Sequence, residues 1–243
     1  ALSLAAVLKG FDIVVAVGGD GSINDCVKGL VSTGVTLGII PAGSGNGLAR
    51  CLNLPLSVED AIKCINNQKS MDMDSIKLND TVYASIAGVG FDALIAKEFA
   101  KTHTRGFQPY LKLVLQHYPQ YKQQDYTLII DGKEITTQAL FISFANSTQF
   151  GFNTEIAPNA ELDDGLIDVV IVKKPPLPLL LWTAQLLFFN QFDKSIYVET
   201  YQARHIVVKN NGKIGVNLDG EYTEFNGDLD FSIEEKSLNV IIP

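Results

Sequence analysis

The sequence predicts an α/β domain followed by a β-sandwich-like domain, and three observations carry that expectation. Two apolar, β-branched runs, Asp12 to Val17 and Val35 to Ile40, each stop at a glycine-rich loop. Each loop opens an amphipathic segment, so the unit reads strand, loop, helix twice over, with strands buried on both faces of a parallel sheet. From Met71 the period changes to alternation, and turn pairs such as Asn79-Asp80, Asp131-Gly132 and Asn211-Gly212 separate many short runs, as in an antiparallel sandwich. The expected domains are residues 1–72 and 73–243.

Ala1 to Lys9 reads as a helix closed by Gly10. In the first loop, Gly18, Gly19 and Gly21 leave no Cβ between a ligand and the backbone. Ser22 with Asp25 makes a capping-box start for the next helix. Amides at a helix start favour an anion. Asp20 is then the odd residue, because a carboxylate repels phosphate unless a metal ion or a transferable proton lies between them. The second loop, Pro41-Ala-Gly-Ser-Gly-Asn-Gly47, follows the second strand, with Asn46 as the cap of its helix. Two such loops share the carboxyl edge of one parallel sheet, where such sheets bind ligands.

Ser57-Val-Glu-Asp60 is a further capping box, its helix running to about Asn66. Helices are expected at Phe91 to Ala100 and Pro109 to Tyr118. Strands are expected at Tyr126–Asp131, Ile135–Ala145, Leu166–Val172, Ser195–Tyr201, His205–Lys209, Gly215–Leu218, Leu229–Ile233 and Leu238–Ile242. With 47% hydrophobic residues, the 243-residue chain has the apolar material for substantial cores. A net charge of −8 and no Lys/Arg run longer than two argue against a nucleic-acid binder. Cys26, Cys51 and Cys64 lack ligand spacing and read as reduced thiols, and His103, His117 and His205 do not form a zinc set.

GGDGS followed by Ile23-Asn24-Asp25, and then IIPAGSGNGLAR, resembles the diacylglycerol kinase catalytic-domain family, which also holds bacterial lipid kinases, sphingosine kinases and ceramide kinases. Gly88-Val-Gly-Phe-Asp92, Ala157-Pro-Asn-Ala-Glu-Leu-Asp-Asp-Gly-Leu166 and Leu218-Asp-Gly-Glu221 continue the resemblance in the family's order. It implies a doubly wound, phosphofructokinase- and NAD-kinase-like first domain whose first strands and Asn-Pro-x-Ser-Gly-type loop are missing here, and hence weak nucleotide binding by this chain. It implies an ATP-dependent lipid kinase using Mg2+, with diacylglycerol or a similar lipid alcohol as acceptor. Gly47, with Ser44, is closer to the sphingosine-kinase pattern, so a sphingoid base or ceramide is the alternative acceptor. NAD kinase, which shares GGDG, and a non-catalytic nucleotide- or lipid-binding module are the other classes.

Phosphoryl transfer needs bound phosphates, a divalent ion and a carboxylate to take the acceptor's proton. By the resemblance, Gly18, Gly19, Asp20, Gly21, Ser22, Ile23, Asn24, Asp25, Gly43, Ser44 and Gly45 bind nucleotide. Glu221 is the expected base and Asp20 the Mg2+-organising carboxylate, whereas the sphingosine-kinase likeness assigns the base to Asp20. Asp25 stands where the family usually has Glu. Asp164 through its side chain, with Glu161 and Leu166 through their carbonyls, resembles a second metal site, an all-oxygen shell suited to Mg2+ or Ca2+. Arg105 is a further candidate phosphate contact.

Leu177 to Phe189 contains no charged residue. As a helix it is about 20 Å long against a hydrocarbon core of about 30 Å, so it does not cross a bilayer. It either packs on the sandwich or forms a lipid-facing lip. The expected partners are ATP, a lipid alcohol, a membrane touched peripherally and a second copy in a homodimer, with no nucleic acid. No signal peptide opens the chain, and the expected location is cytoplasmic, peripheral at the membrane.

Overall fold

The computed structural model describes residues 2–102 and 106–243. α1 (Leu2–Leu8) precedes β1 (Ile13–Gly18), which enters α2 (Asp20–Leu30). β2 (Thr36–Pro41) enters α3 (Gly47–Cys51), and α4 (Val58–Asn67) leads to β3 (Ser70–Leu78). β1 and β2 pair in parallel, Ile13 opposite Thr36 and Gly18 opposite Pro41, so both glycine loops leave the same sheet edge. Ile23, Val27 and Leu30 of α2 share a core with Leu37 and Ile39 of β2.

The capping box expected at Ser22 and Asp25 does not form. α2 starts earlier, at Asp20, with Gly19 as an N-cap that offers no side-chain hydrogen bond, and Ser22 and Asp25 lie inside the helix. A glycine cap leaves the first-turn amides open, which a capping box would have occupied. Ser57 does cap α4, its Oγ accepting the N–H of Asp60 at 3.2 Å.

The chain continues through β4 (Thr81–Tyr83), β5 (Ile86–Gly90), α5 (Phe91–Ala100), α6 (Phe107–His117), β6 (Gln124–Ile130), β7 (Lys133–Ala139), β8 (Phe141–Ala145), β9 (Gln149–Gly151) and β10 (Thr154–Glu155). It ends with β11 (Ile167–Val172), α7 (Leu177–Gln185), β12 (Val198–Ala203), β13 (His205–Lys209), β14 (Lys213–Leu218), β15 (Glu221–Asn226) and β16 (Leu229–Ile241). Among the described residues an antiparallel sheet ordered β12-β11-β8-β5-β14-β15 faces a larger one ordered β1-β2-β16-β13-β6-β7, in which β3 pairs with β16 and β4 with β3. Their apolar faces close on each other. Phe144 of β8 stacks on Phe231 of β16 at 4.0 Å between centroids, and Tyr83 meets Phe231 edge-on at 6.5 Å.

Two strand expectations needed correction. Ile135 to Ala145 breaks at Leu140 into β7 and β8, which lie in different sheets, so this is where the chain crosses the sandwich. The last two expected strands are one, β16, whose register shifts between Glu234 and Leu238. β16 joins both parts of the molecule, running antiparallel to β3 and pairing in parallel with β2 at Val240 opposite Leu37. The division expected at residue 72 falls within β3.

Candidate active site

The two glycine loops touch backbone to backbone. A Cβ on Gly43 would lie 2.4 Å from the Cα of Gly19, and one on Gly45 would lie 3.0 Å from Oδ2 of Asp20. Asn46, in the left-handed region at φ 53°, occupies the cap position of α3 without capping it. Its side chain turns back on its own loop, Oδ1 accepting the N–H of Gly43 at 3.0 Å and Nδ2 donating to the Gly43 carbonyl at 2.9 Å. The amides at the start of α3 are left to Asp20. Burial raises the Asp20 pKa, and those amides, Gly47 and Leu48 first, pull it back down. Asp20 Oδ1 is buried without a hydrogen-bond partner. An orphaned carboxylate oxygen beside two glycine loops fits a ligand to a divalent cation.

Glu221 opens β15, far away in sequence from these loops. Its side chain nevertheless lies against the first loop, since a Cβ on Gly21 would sit 2.7 Å from Oε1 of Glu221. Two buried carboxylates hold the turn that presents it. Asp219 accepts the backbone N–H groups of Ile86 at 2.8 Å and Ala84 at 3.2 Å. Asn217 donates to Asp92 Oδ2 at 2.9 Å and accepts the N–H of Gly220 at 3.0 Å. Burial lifts Asp219 to about 7, with the charge of Asp20 adding to the rise. Burial lifts Asp92 to about 6 against the stabilising bond from Asn217.

Of the other expected site residues, Gly18 packs on Ser22 and Ser44 is exposed. Ile23 does not join them, because its side chain is in the core and its N–H is bonded to the Gly19 carbonyl. Asn24 is buried with both side-chain polar atoms unpartnered, and Asp25 pairs with Lys28 at 3.6 Å on the surface. Arg105 and His103 lie outside the described residues. Cys26, Cys51 and Cys64 are free thiols.

The loop with Glu161, Asp164 and Leu166 is separate from the glycine loops but wired to the same turn. Asp164 Oδ1 accepts the N–H of Leu166 at 2.9 Å. Burial raises the Asp164 pKa, and the charges of Glu161, Asp74 and Asp163 add to it. Asp74, buried, accepts the N–H of Gly165 at 2.8 Å, and its own carbonyl accepts from Asn146, which also bonds the carbonyl of Ala84. Ala84 in turn is bonded by Asp219. Among the described residues no three His, Cys, Asp or Glu side chains converge as a metal cluster. A shell of one carboxylate and two carbonyls does not require one.

The residues missed from sequence are Asn217, Asp74 and the wall formed by β9 and its turn. A Cβ on Gly47 would meet the carbonyl of Gln149 at 2.9 Å, and Phe152 donates its N–H to the Gly45 carbonyl at 3.3 Å. Gly151-Phe152-Asn153, a cluster with turn chemistry, was the available signal.

A model of the diacylglycerol kinase catalytic domain matches residues 1–78, and one described as the YegS C-terminal NAD kinase beta sandwich-like domain matches residues 85–242. The diacylglycerol kinase of Bacillus subtilis (strain 168) is 29% identical over 225 residues, spanning 89% of this chain and 73% of its own length. That of Staphylococcus aureus (strain JH9) is 30% identical over 224 residues, spanning 89% and 70%. A diacylglycerol kinase structure from Bacillus anthracis str. Sterne superposes with a TM-score of 0.74 at 19% identity, covering 99% of this chain and 80% of that one. At that identity the likeness shows the fold alone.

Proposed function

Because the chain belongs to the diacylglycerol kinase family of ATP-dependent lipid kinases, we propose that its acceptor is the hydroxyl of diacylglycerol or a similar lipid alcohol and that Glu221 takes the proton. The observation that carries this reading is the contact of Glu221 with Gly21, which sets a carboxylate against the phosphate loop. In this scheme Glu221 removes the acceptor hydroxyl's proton as the oxygen attacks the γ-phosphorus. The bond from that phosphorus to the bridging oxygen breaks, and ADP leaves with the electron pair. Open amides at the start of α2, from Gly19 to Ser22, and the hydroxyl of Ser44 bind phosphate oxygens. Asp20 would hold Mg2+ through its unpartnered oxygen, and the ion would supply neutralisation of charge on the phosphates. Asp164, with the carbonyls of Glu161 and Leu166, would hold a second cation, whose part would be to fix its loop.

A peripheral membrane contact belongs to the same proposal. The outer side of α7 exposes Leu177, Leu181 and Trp182, and the 3-10 turn after it exposes Phe188 and Phe189. The inner side packs through Leu180, Leu186 and Leu187, so the segment packs on the domain and leaves an apolar face exposed to meet lipid. No helix among the described residues is long and apolar enough to cross a membrane. The test is phosphorylation of a panel of diacylglycerol, sphingoid base, ceramide and NAD with ATP and Mg2+. Glu221→Gln is expected to lower kcat on one lipid class at least about a thousandfold, within the range for losing a catalytic base. Turnover of NAD alone, or an unaffected variant, overturns the reading.

A further inference from the structure

Resting on the lipid-kinase reading, we propose that Phe152, Phe107 and Phe188 form the wall along which an acyl chain of the lipid acceptor reaches the glycine loops. Phe152 has φ 53°, a left-handed conformation that bulky side chains rarely adopt. It is held there by its N–H bond to the Gly45 carbonyl and by Gly151, whose own Cβ would lie 3.0 Å from the Cα of Gly45.

The position of that ring is what identifies the ligand. The point where a Cβ on Gly45 would stand is 3.0 Å from Asp20 Oδ2 and 4.0 Å from Cε2 of Phe152. Carboxylate and apolar ring thus flank one point of the second loop. A molecule lying there must change from polar to aliphatic within a few bonds, as a lipid does where its hydroxyl-bearing head meets its chain.

From Phe152 the rings continue outward. Phe107, the first residue of α6, has its centroid 5.7 Å from Phe152 and 5.9 Å from Phe188. Phe188 is 44% exposed and continues into the open apolar face of Phe189 and Trp182. A ring row serving only as core would be buried, yet α6 buries none of its residues. Neither α6 nor α7 contains an Asp or Glu, and Lys112, Lys122 and Lys174 lie on them or within five residues of their ends, in a chain of net charge −8. That sign suits chains drawn from an anionic bilayer and disfavours a second copy of this acidic protein as the occupant.

The experiment compares kcat/KM for dioleoylglycerol in mixed micelles with that for water-soluble dihexanoylglycerol. Phe152→Asn removes the ring and keeps a residue that tolerates the left-handed backbone. It is expected to lower the long-chain to short-chain ratio about tenfold or more, with KM for ATP unchanged. Phe107→Ala should act in the same direction. Phe188→Ser, at an exposed position, carries the test if the inner variants fold poorly. An unaltered ratio in Phe188→Ser and in every folded inner variant overturns the proposal. So does a monomer–dimer equilibrium that Phe188→Ser shifts while the ratio stays fixed. Failure of the unaltered chain to phosphorylate either acceptor sinks the diacylglycerol-acceptor reading on which the proposal rests, before any variant is compared.

Discussion

The two glycine loops read alike in sequence, yet Gly43 and Gly47 of the second exclude a side chain for a different physical reason from Gly21 of the first. At Gly43 and Gly47 the obstruction is backbone: the Cα of Gly19 at 2.4 Å from a Cβ on Gly43, and the carbonyl of Gln149 at 2.9 Å from one on Gly47. At Gly21 it is the far end of a side chain: Oε1 of Glu221 at 2.7 Å from a Cβ there. Backbone held by a sheet cannot swing aside, whereas a glutamate can. Gly43 and Gly47 therefore belong to a joint that the fold depends on, and Gly21 to the seat in which the proposed base Glu221 rests.

That contrast is open to test in descending order of effect. Gly43→Ala should destabilise the protein by about 2–3 kcal/mol through backbone overpacking, read by urea unfolding. A loss under about 0.5 kcal/mol would mean the loops do not bear on each other. Gly21→Ala should cost under about 1 kcal/mol of stability, since Glu221 moves away, while kcat falls about a hundredfold from its displacement. Equal stability losses in the two variants would erase the distinction.

The hold on the turn beneath Glu221 is expected to show in pH. Folded Asp219 keeps its proton up to about 7, against an unfolded value of 3.8. Between these values the native state binds more protons than the unfolded one, so Asp219 makes stability fall as pH rises, by at most about 1.4 kcal/mol per unit. Asp219→Asn should flatten that part of the profile; an unchanged slope between pH 4 and 7 would place the titration elsewhere. Smaller still is Lys97→Ala. Lys97 lies over the Tyr222 ring at 4.8 Å on the exposed side of the same hairpin, and its loss should cost no more than about 0.5 kcal/mol by thermal unfolding.

What the sequence revealed follows the same division. The strands β1 and β2, the loops after them and the Ser57 cap are local, and residue type with spacing dictated them. The capping box at Ser22 failed because Gly19 lets the helix begin earlier, a choice made by backbone conformation and invisible in side-chain pattern. Asn46 sat at the expected cap position but spent its amide on Gly43, which only the close approach of the second loop explains. Contacts across the chain were the least legible. Nothing in the spacing of residues puts Glu221 at Gly21 or Phe152 at Gly45; the family likeness pointed to the first, and nothing pointed to the second. The β9–β10 hairpin is too short to alternate and carries its meaning in positive φ angles at Gly151, Phe152 and Asn153.

β16 has a consequence for how the protein is made. A chain that has emerged only as far as Asp228 already includes both glycine loops and the turn bearing Glu221, yet β2 still lacks its neighbour on one side. Ser32 and Thr36 wait for Ser237 and Asn239, their partners at 2.7 and 2.8 Å. Until then the nascent chain carries an unpaired strand edge, the kind of surface that pairs wrongly with other chains. The stretch from Leu229 to Ile241 thus acts as a clasp that closes over the edge of β2 only once it has itself emerged.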